Sequence, residues 1–130
     1  MFEFPQSLAK RISLVAIGLL FIAAGVGHFT HAEFFVDIMP PYLPLHLELV
    51  YLSGVFEILG GVGLWIGRAR PLAAIGLVAL LFAVYPANIH MAMNPEAFPD
   101  APPIALYLRL PMQFVLMGWL WWATRPDPES

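Results

Sequence analysis

The sequence predicts an all-α integral membrane protein: a four-transmembrane-helix bundle with a short interfacial helix after the first span. Sixty per cent of its 130 residues are hydrophobic and only 12% are charged, which is far too apolar for a soluble domain of this length. Four separate stretches are mostly apolar over about 20 residues, the length of helix that crosses a hydrocarbon core. The length suits one domain, so we take residues 1–130 as a single membrane domain.

The four predicted spans cover residues 12–28, 47–66, 72–91 and 104–123. The basic pair Lys10 and Arg11 precedes the first span, and a signal peptide begins in the same way. We favour a retained helix, because this stretch has no clear small-residue cleavage site and because keeping it gives an even number of spans.

The basic residues predict how the bundle is oriented. Lysines and arginines precede the first span, fill the 67–71 turn and follow the fourth span, whereas the loops 29–46 and 92–103 contain none. The positive-inside rule therefore puts both termini and the 67–71 turn in the cytoplasm. The tryptophans fit a cytoplasmic aromatic belt; they are Trp65, Trp119, Trp121 and Trp122.

A short helix is predicted in the first outer loop. Thr30 and Glu33 have the spacing of a capping box, with Thr30 as the N-cap. The helix should then run over about residues 31–39. One of its faces carries apolar side chains that suit the membrane interface; these are Phe34, Phe35 and Ile38.

Charged side chains inside the spans need partners. At a rise of 1.5 Å per residue, Glu57 lies roughly 15 Å below the outer end of the second span, and Arg109 lies roughly 8 Å deep in the fourth. Gln113 is one turn deeper than Arg109 on the same face. Because an unpaired charge at the centre of a helix costs about 2.5–3.5 kcal/mol on insertion scales, we expect Glu57 and Arg109 to form an ion pair.

Prolines in the third and fourth spans free backbone carbonyls. Pro86 has no N–H to donate to the carbonyl of Phe82, and Pro111 has none for Tyr107. We expect a bend in the third helix and polar side chains turned toward the freed carbonyls. The four histidines all fall on the outer side; they are His28, His31, His46 and His90.

These observations define a candidate ligand-binding cluster, and they assign no catalytic residue and no metal site. Buried polar groups of this kind also serve only to lock helices together, and that structural interpretation stays open. The net charge of −3 argues against nucleic-acid binding, and the absence of cysteine excludes thiol chemistry by this chain. The candidate residues are His28, Glu57, Tyr85, Asn88, His90, Arg109 and Gln113.

Five stretches resemble the DoxX family of small bacterial membrane proteins, and together they cover nearly the whole chain. They are GVGHF (25–29), MPPYLP (39–44), SGVFEILGG (53–61), YPANIHM (85–91) and LRLPMQ (108–113). The resemblance implies four transmembrane helices in the inner membrane of a bacterium. The family takes its name from a subunit of a thiosulfate:quinone oxidoreductase, although most members have no assigned reaction.

Three function classes follow from the sequence and the resemblance. The first is a redox-associated subunit that binds a quinone-like or other amphipathic ligand in a polar pocket in the outer half of the bundle. The second is a non-catalytic assembly protein that binds another membrane protein or a second copy of itself. The third is a small-solute carrier. The sequence supports this class less than the other two, because no inverted repeat is evident. We favour the first function class. We also expect membrane lipid to surround the bundle.

Overall fold

The described part of the chain forms five α-helices and one turn of 3-10 helix. The computed structural model describes residues 4–5, 7–37, 39, 41–97 and 102–125. The helices are α1 (Leu8–Thr30), α2 (Ala32–Asp37), α3 (His46–Trp65), α4 (Arg70–Met93) and α5 (Pro103–Thr124), and the 3-10 turn is Pro95–Ala97. No strand occurs among the described residues.

The all-α fold with four membrane-spanning helices is confirmed. Four helices are long and apolar enough to cross a membrane; they are Leu8–Thr30, His46–Trp65, Arg70–Met93 and Ile104–Thr124. The chain is thus a multi-pass membrane protein. The helices α1, α4 and α5 begin before and end after the predicted apolar stretches, because a helix continues beyond the hydrocarbon core until a cap ends it. At the start of α1, for example, the Ser7 side chain accepts a hydrogen bond from the N–H of Lys10 at 3.4 Å.

The prediction for the short helix is wrong about its start. The first helix continues through Thr30, where the N–H of His31 bonds to the carbonyl of Gly27 at 2.8 Å. Thr30 is therefore the last residue of α1 and not an N-cap, and its hydroxyl lies 2.8 Å from Nδ1 of His31. The helix α2 itself covers only Ala32–Asp37, while Ile38 of the predicted apolar face lies outside the described residues.

The order of the spans around the bundle decides which side chains can meet. The helix α1 packs against α3 and α5, and α4 also packs against α3 and α5. The spans thus form a ring in the order α1, α3, α4, α5, with α3 and α5 on one diagonal. We call the end with the start of α1 and the end of α5 the terminal end, and the opposite end, next to α2, the loop end.

Glycines bring α1 and α3 into backbone contact. A Cβ atom built on Gly25 would lie 2.6 Å from the carbonyl oxygen of Gly54, and one on Gly61 would lie 2.7 Å from the carbonyl oxygen of Gly18. Each helix therefore presents two glycines seven residues apart, which is two turns along the same face. This close approach puts the last turns of α1 directly against the first half of α3.

The apolar core has two parts. Near the loop end, Met91 and Leu106 are buried, and Phe35 from α2 and Ala87 from α4 pack against them. The short helix α2 thus sends one side chain between the spans. The larger cluster lies toward the terminal end and consists of Leu14, Ile17, Phe21, Leu64, Leu77, Leu81, Leu120 and Ala123.

Two tryptophan side chains link the helices at the terminal end. The indole N–H of Trp65 donates to the carbonyl of Leu14 at 2.9 Å, and that of Trp119 donates to the hydroxyl of Ser13 at 2.9 Å. Because these bonds join different helices, the two tryptophans connect the spans to each other. This is a structural role in addition to the place in an aromatic belt that the sequence predicts.

Candidate functional site

The structure divides the seven predicted site residues between opposite sides of the bundle. Two lie between α1 and α3, three lie between α4 and α5, and two make separate contacts. His28 and Glu57 lie between α1 and α3, and Asn88, Arg109 and Gln113 lie between α4 and α5. Tyr85 and His90 make separate contacts.

His28 and Glu57 form a buried pair on the α1–α3 side. Only 7% of His28 and 9% of Glu57 is exposed. The Nδ1 atom of His28 lies 2.9 Å from the carbonyl oxygen of Val50, and Nε2 lies 3.3 Å from Oε2 of Glu57. The imidazole ring therefore bridges a backbone carbonyl and a carboxyl group, both of which belong to α3.

The partner atoms restrict which atoms of the His28–Glu57 pair carry protons. A carbonyl oxygen only accepts hydrogen bonds, so Nδ1 of His28 carries a proton and donates it to Val50; this tautomer is inferred from the partner atom. In a neutral ring Nε2 is then an acceptor, and it faces Glu57, which is an acceptor when ionised. Two acceptors at this separation repel each other, and a further proton on either Nε2 or Oε2 would remove this repulsion.

The carboxyl group of Glu57 keeps unused capacity to accept hydrogen bonds. The 3.3 Å separation from Nε2 is within the range of an ion pair, but its geometry is not that of a hydrogen bond, and Oε2 has no hydrogen-bond partner among the described residues. Buried polar atoms are usually hydrogen-bonded, and leaving one without a donor costs about 1–3 kcal/mol. Such an atom is the kind of feature that a bound ligand satisfies.

An aromatic side chain from α2 covers the pair. The ring centroids of Phe35 and His28 lie 4.1 Å apart at an interplanar angle of 44°. Phe35 also packs against the buried Met91 and Leu106, whereas 49% of its neighbour Phe34 is exposed. Of the predicted interfacial face, Phe35 therefore points into the bundle and closes it next to His28.

A separate groove lies at the loop end of the bundle. Its volume is about 920 Å³, which is within the range of small-molecule sites. The end of α1, the helix α2 and the start of α3 form it, and its lining includes neither His28 nor Glu57. The lining residues are Phe29, Thr30, His31, Ala32, Glu33, Phe34, Val36, Asp37, Leu47 and Tyr51.

On the other side of the bundle, the amides form a continuous hydrogen-bonded chain. Arg109 Nε donates to Oδ1 of Asn88 at 3.2 Å, and Nδ2 of Asn88 donates to Oε1 of Gln113 at 2.8 Å. Gln113 Nε2 then donates to the carbonyl of Leu81 at 2.8 Å. Each amide of this chain both donates and accepts, as expected for a lock between α4 and α5.

The predicted Glu57–Arg109 ion pair is wrong. The two residues have suitable depths, but they belong to α3 and α5, which lie on a diagonal of the bundle. Glu57 meets His28 on α1, and Arg109 meets Asn88 on α4. Helical rise predicts depth alone, and here the order of the helices decides the partner.

The structure places a polar donor near Pro86, but not at the carbonyl that was predicted to receive it. The helices α4 and α5 continue through Pro86 and Pro111. Gln113 does supply a donor to α4, but to the carbonyl of Leu81 and not to that of Phe82. The side chain of Gln113 therefore ties the two helices together one residue before the predicted position.

The remaining two candidates belong to neither polar group. The ring of Tyr85 packs edge-on against Phe114, with centroids 5.3 Å apart. The carbonyl of His90 accepts a hydrogen bond at 2.9 Å from the side chain of Asn94, which follows the last residue of α4. Tyr85 and His90 thus support the packing and the end of α4.

Two features of the site were missed at the sequence level. The carbonyl of Val50 fixes the tautomer of His28, and a main-chain atom leaves no signal in the sequence. Phe35 covers His28, but its position depends on where α1 ends. The described residues contain no group of three or more histidine, cysteine, aspartate or glutamate side chains that could hold a metal ion.

Comparison with known proteins gives one family. A family model described as Domain of unknown function (DUF8561) matches residues 17–124, which include both polar groups. No curated protein and no solved structure matches the chain. The resemblance to the DoxX family stays a prediction.

Proposed function

The chain belongs to the domain family of unknown function DUF8561, and we propose that it binds a quinone-like or other amphipathic small molecule next to His28 and Glu57. One observation carries the proposal: a carboxyl oxygen of Glu57 is buried within a membrane span and has no hydrogen-bond donor among the described residues. Ionisable residues at such positions are rare and usually serve a function.

The surroundings of the pair support a ligand that is apolar over most of its surface. Ligand sites combine apolar walls with a few well-placed polar groups. Here the polar groups are the His28–Glu57 pair, and the ring of Phe35 is an apolar cover over His28. The DoxX-like motifs favour a quinone as the head group and a redox-associated subunit as the biological setting.

Retention of the ligand tests the proposal. We expect that protein purified in mild detergent retains an amphipathic small molecule other than phospholipid, and that the folded, monodisperse fraction of His28→Phe retains at least tenfold less of it, since this change removes both ring nitrogens. Mass spectrometry of solvent extracts measures the amount. The control is Glu48→Gln, because Glu48 is exposed on the same helix as Glu57 and does not line the groove. Equal small-molecule content in wild type and His28→Phe would contradict the proposal.

We place the loop end outside the cytoplasmic membrane of a bacterium, with both termini in the cytoplasm. The support is the positive-inside rule: the lysines and arginines of the chain all lie at or near the terminal end, except Arg109, which lies inside α5.

Thiol labelling tests this orientation. The chain contains no cysteine, so a single introduced cysteine gives the only signal. Asp37→Cys is expected to react with an impermeant maleimide added to intact spheroplasts, whereas Ala69→Cys is expected to react only after lysis. The reverse pattern would contradict the proposed orientation.

Assembly with another membrane protein is a second candidate function, and Arg109 favours it. Arg109 lies within a span and is exposed, and its one described hydrogen bond uses Nε. A carboxylate on a neighbouring membrane helix would suit the remaining N–H groups. A protein that co-purifies with the wild type and is lost in Arg109→Gln, with no small molecule retained by either, would favour assembly over ligand binding.

A further inference from the structure

We infer that a groove between α3 and α4 binds an anionic phospholipid, with one acyl chain along the groove and the phosphate group beside Arg68. The groove has a volume of about 600 Å³ and lies on the outside of the bundle, where Leu59 and Leu72 line it and are exposed. It shares no lining residue with the groove at the loop end, and neither His28 nor Glu57 lines it. Its occupant is therefore independent of the proposed ligand.

The groove has the composition and the length that an acyl chain requires. All twelve lining residues are phenylalanine, leucine, alanine or glycine, and seven of them are alanine or glycine. From Ala69, the N-cap of α4, to Ala83 the lining extends over roughly 21 Å at a rise of 1.5 Å per residue. One leaflet of the hydrocarbon core is roughly 15 Å thick. A chain that follows the groove therefore has apolar walls through the whole depth of its leaflet.

Small residues create the groove because they leave space beside the contact of the two helices. A Cβ atom built on Gly63 of α3 would lie 3.0 Å from the Cβ of Ala73 on α4, so the helices touch there. Gly76 also lines the groove, but it is exposed, and a Cβ atom on it would meet nothing within 4 Å. The space beside Gly76 thus belongs to the groove and not to helix packing.

Positive charge lies at one end of this groove. The exposed Arg68 directly precedes Ala69, which lines the groove in the turn between α3 and α4. The described residues near the terminal end include no aspartate or glutamate. Their basic members are Lys10, Arg11, Arg68, Arg70 and Arg125. Basic residues beside a groove between spans bind anionic lipid head groups on the cytoplasmic side of membranes, and the terminal end is cytoplasmic in the proposed orientation.

The same charge disfavours a second copy of the chain as the occupant. Two copies in one membrane have the same orientation, so a symmetric pair packed through this groove would have its two-fold axis along the membrane normal. The Arg68 side chains of both copies would then lie at the same depth and near the axis, where like charges repel. A phosphate group instead brings the opposite charge to this position.

Native mass spectrometry of the full-length protein, delipidated in mild detergent, tests the head group. The probes are phosphatidylglycerol and phosphatidylcholine with identical acyl chains. Because one arginine near the membrane surface corresponds to about a fivefold gain in affinity for an anionic lipid, we expect the first phosphatidylglycerol to bind with a Kd about fivefold lower than that of phosphatidylcholine. Equal Kd values in the wild type would overturn the inference.

Two arginine variants locate the phosphate group. Arg68→Gln is expected to bind both lipids with the same Kd. Arg11→Gln is the matched control, because Arg11 is exposed at the terminal end but lies on α1, which does not line the groove. It should keep the wild-type preference. If Arg68→Gln keeps the preference, or if Arg11→Gln loses as much of it, the phosphate group is not held by Arg68 and the inference is overturned.

Two glycine variants locate the acyl chain. Gly76→Leu should lose the preferential binding of phosphatidylglycerol, because the leucine fills the space of the chain and clashes with nothing in the bundle. Gly118→Leu should bind as the wild type does, since a Cβ atom there also meets nothing within 4 Å and Gly118 does not line the groove. Wild-type binding by Gly76→Leu would overturn the inference. The arginine comparison remains decisive if Gly76→Leu does not fold.

The same spectra report the oligomeric state and so test the alternative occupant. A monomer that carries one preferentially bound phosphatidylglycerol supports the inference. A wild-type dimer that becomes a monomer in Gly76→Leu, but not in Gly118→Leu, would assign the groove to a second copy of the chain and overturn the lipid site.

Discussion

Replacing Gly25 by leucine is expected to abolish the folded bundle. A Cβ atom at this position would lie 2.6 Å from the carbonyl oxygen of Gly54 and 2.7 Å from Cγ1 of Ile58. The first of these neighbours is backbone, which cannot rotate away, so α1 and α3 would have to separate along their closest contact. Overpacking in a core costs about 1–3 kcal/mol and sometimes more, and we expect a loss at or above the upper end of that range.

A matched variant distinguishes this clash from a general effect of leucine in a span. A Cβ atom on Gly118 would meet nothing within 4 Å, so Gly118→Leu is expected to keep or slightly raise the thermal stability in detergent. Gly25→Leu is expected to yield little monodisperse protein. If the two variants melted at the same temperature as the wild type, α1 and α3 would not make the backbone contact described here.

The number and the approximate limits of the spans could be predicted from the sequence, because hydrophobic length is a property of each segment alone. The grouping of the histidines near one end of the bundle could also be predicted, since successive spans alternate in direction. Except at the end of α3, the helices extend beyond the predicted apolar stretches, because caps such as Ser7, and not hydropathy, decide where a helix begins or ends.

The pairing of side chains between helices could not be predicted from the sequence. Glu57 and Arg109 match in depth, which follows from helical rise, but a single sequence does not reveal the order of helices around the ring. That order puts His28 beside Glu57 and leaves Arg109 to Asn88. His28 and Glu57 were both candidate residues, while the contact between them depends on two glycine pairs that let α1 approach α3.

Removing His28 alone is expected to be among the most damaging changes within the candidate site. His28→Leu leaves Glu57 buried with no partner, and breaking a buried ion pair in this way costs about 3–5 kcal/mol in soluble proteins. Glu57→Leu leaves a neutral imidazole that still donates to Val50, so its cost should be smaller. The double variant His28→Leu/Glu57→Leu removes both polar groups, and replacing a buried pair by apolar residues is often nearly neutral. Its unfolding free energy should be close to that of the wild type.

The pairing of Glu57 with His28 is tested most directly by two double-mutant cycles that share the Glu57→Leu change, with unfolding in detergent as the common measurement. For His28 and Glu57 we expect a coupling free energy at or above the upper end of the range of about 0.5–3 kcal/mol for contacting residues, because the loss of about 3–5 kcal/mol in His28→Leu is absent from the double variant. For Arg109→Leu and Glu57→Leu we expect the two losses to add, because these side chains do not meet. Coupling between Glu57 and Arg109, with additive losses for Glu57 and His28, would contradict the assignment of this site.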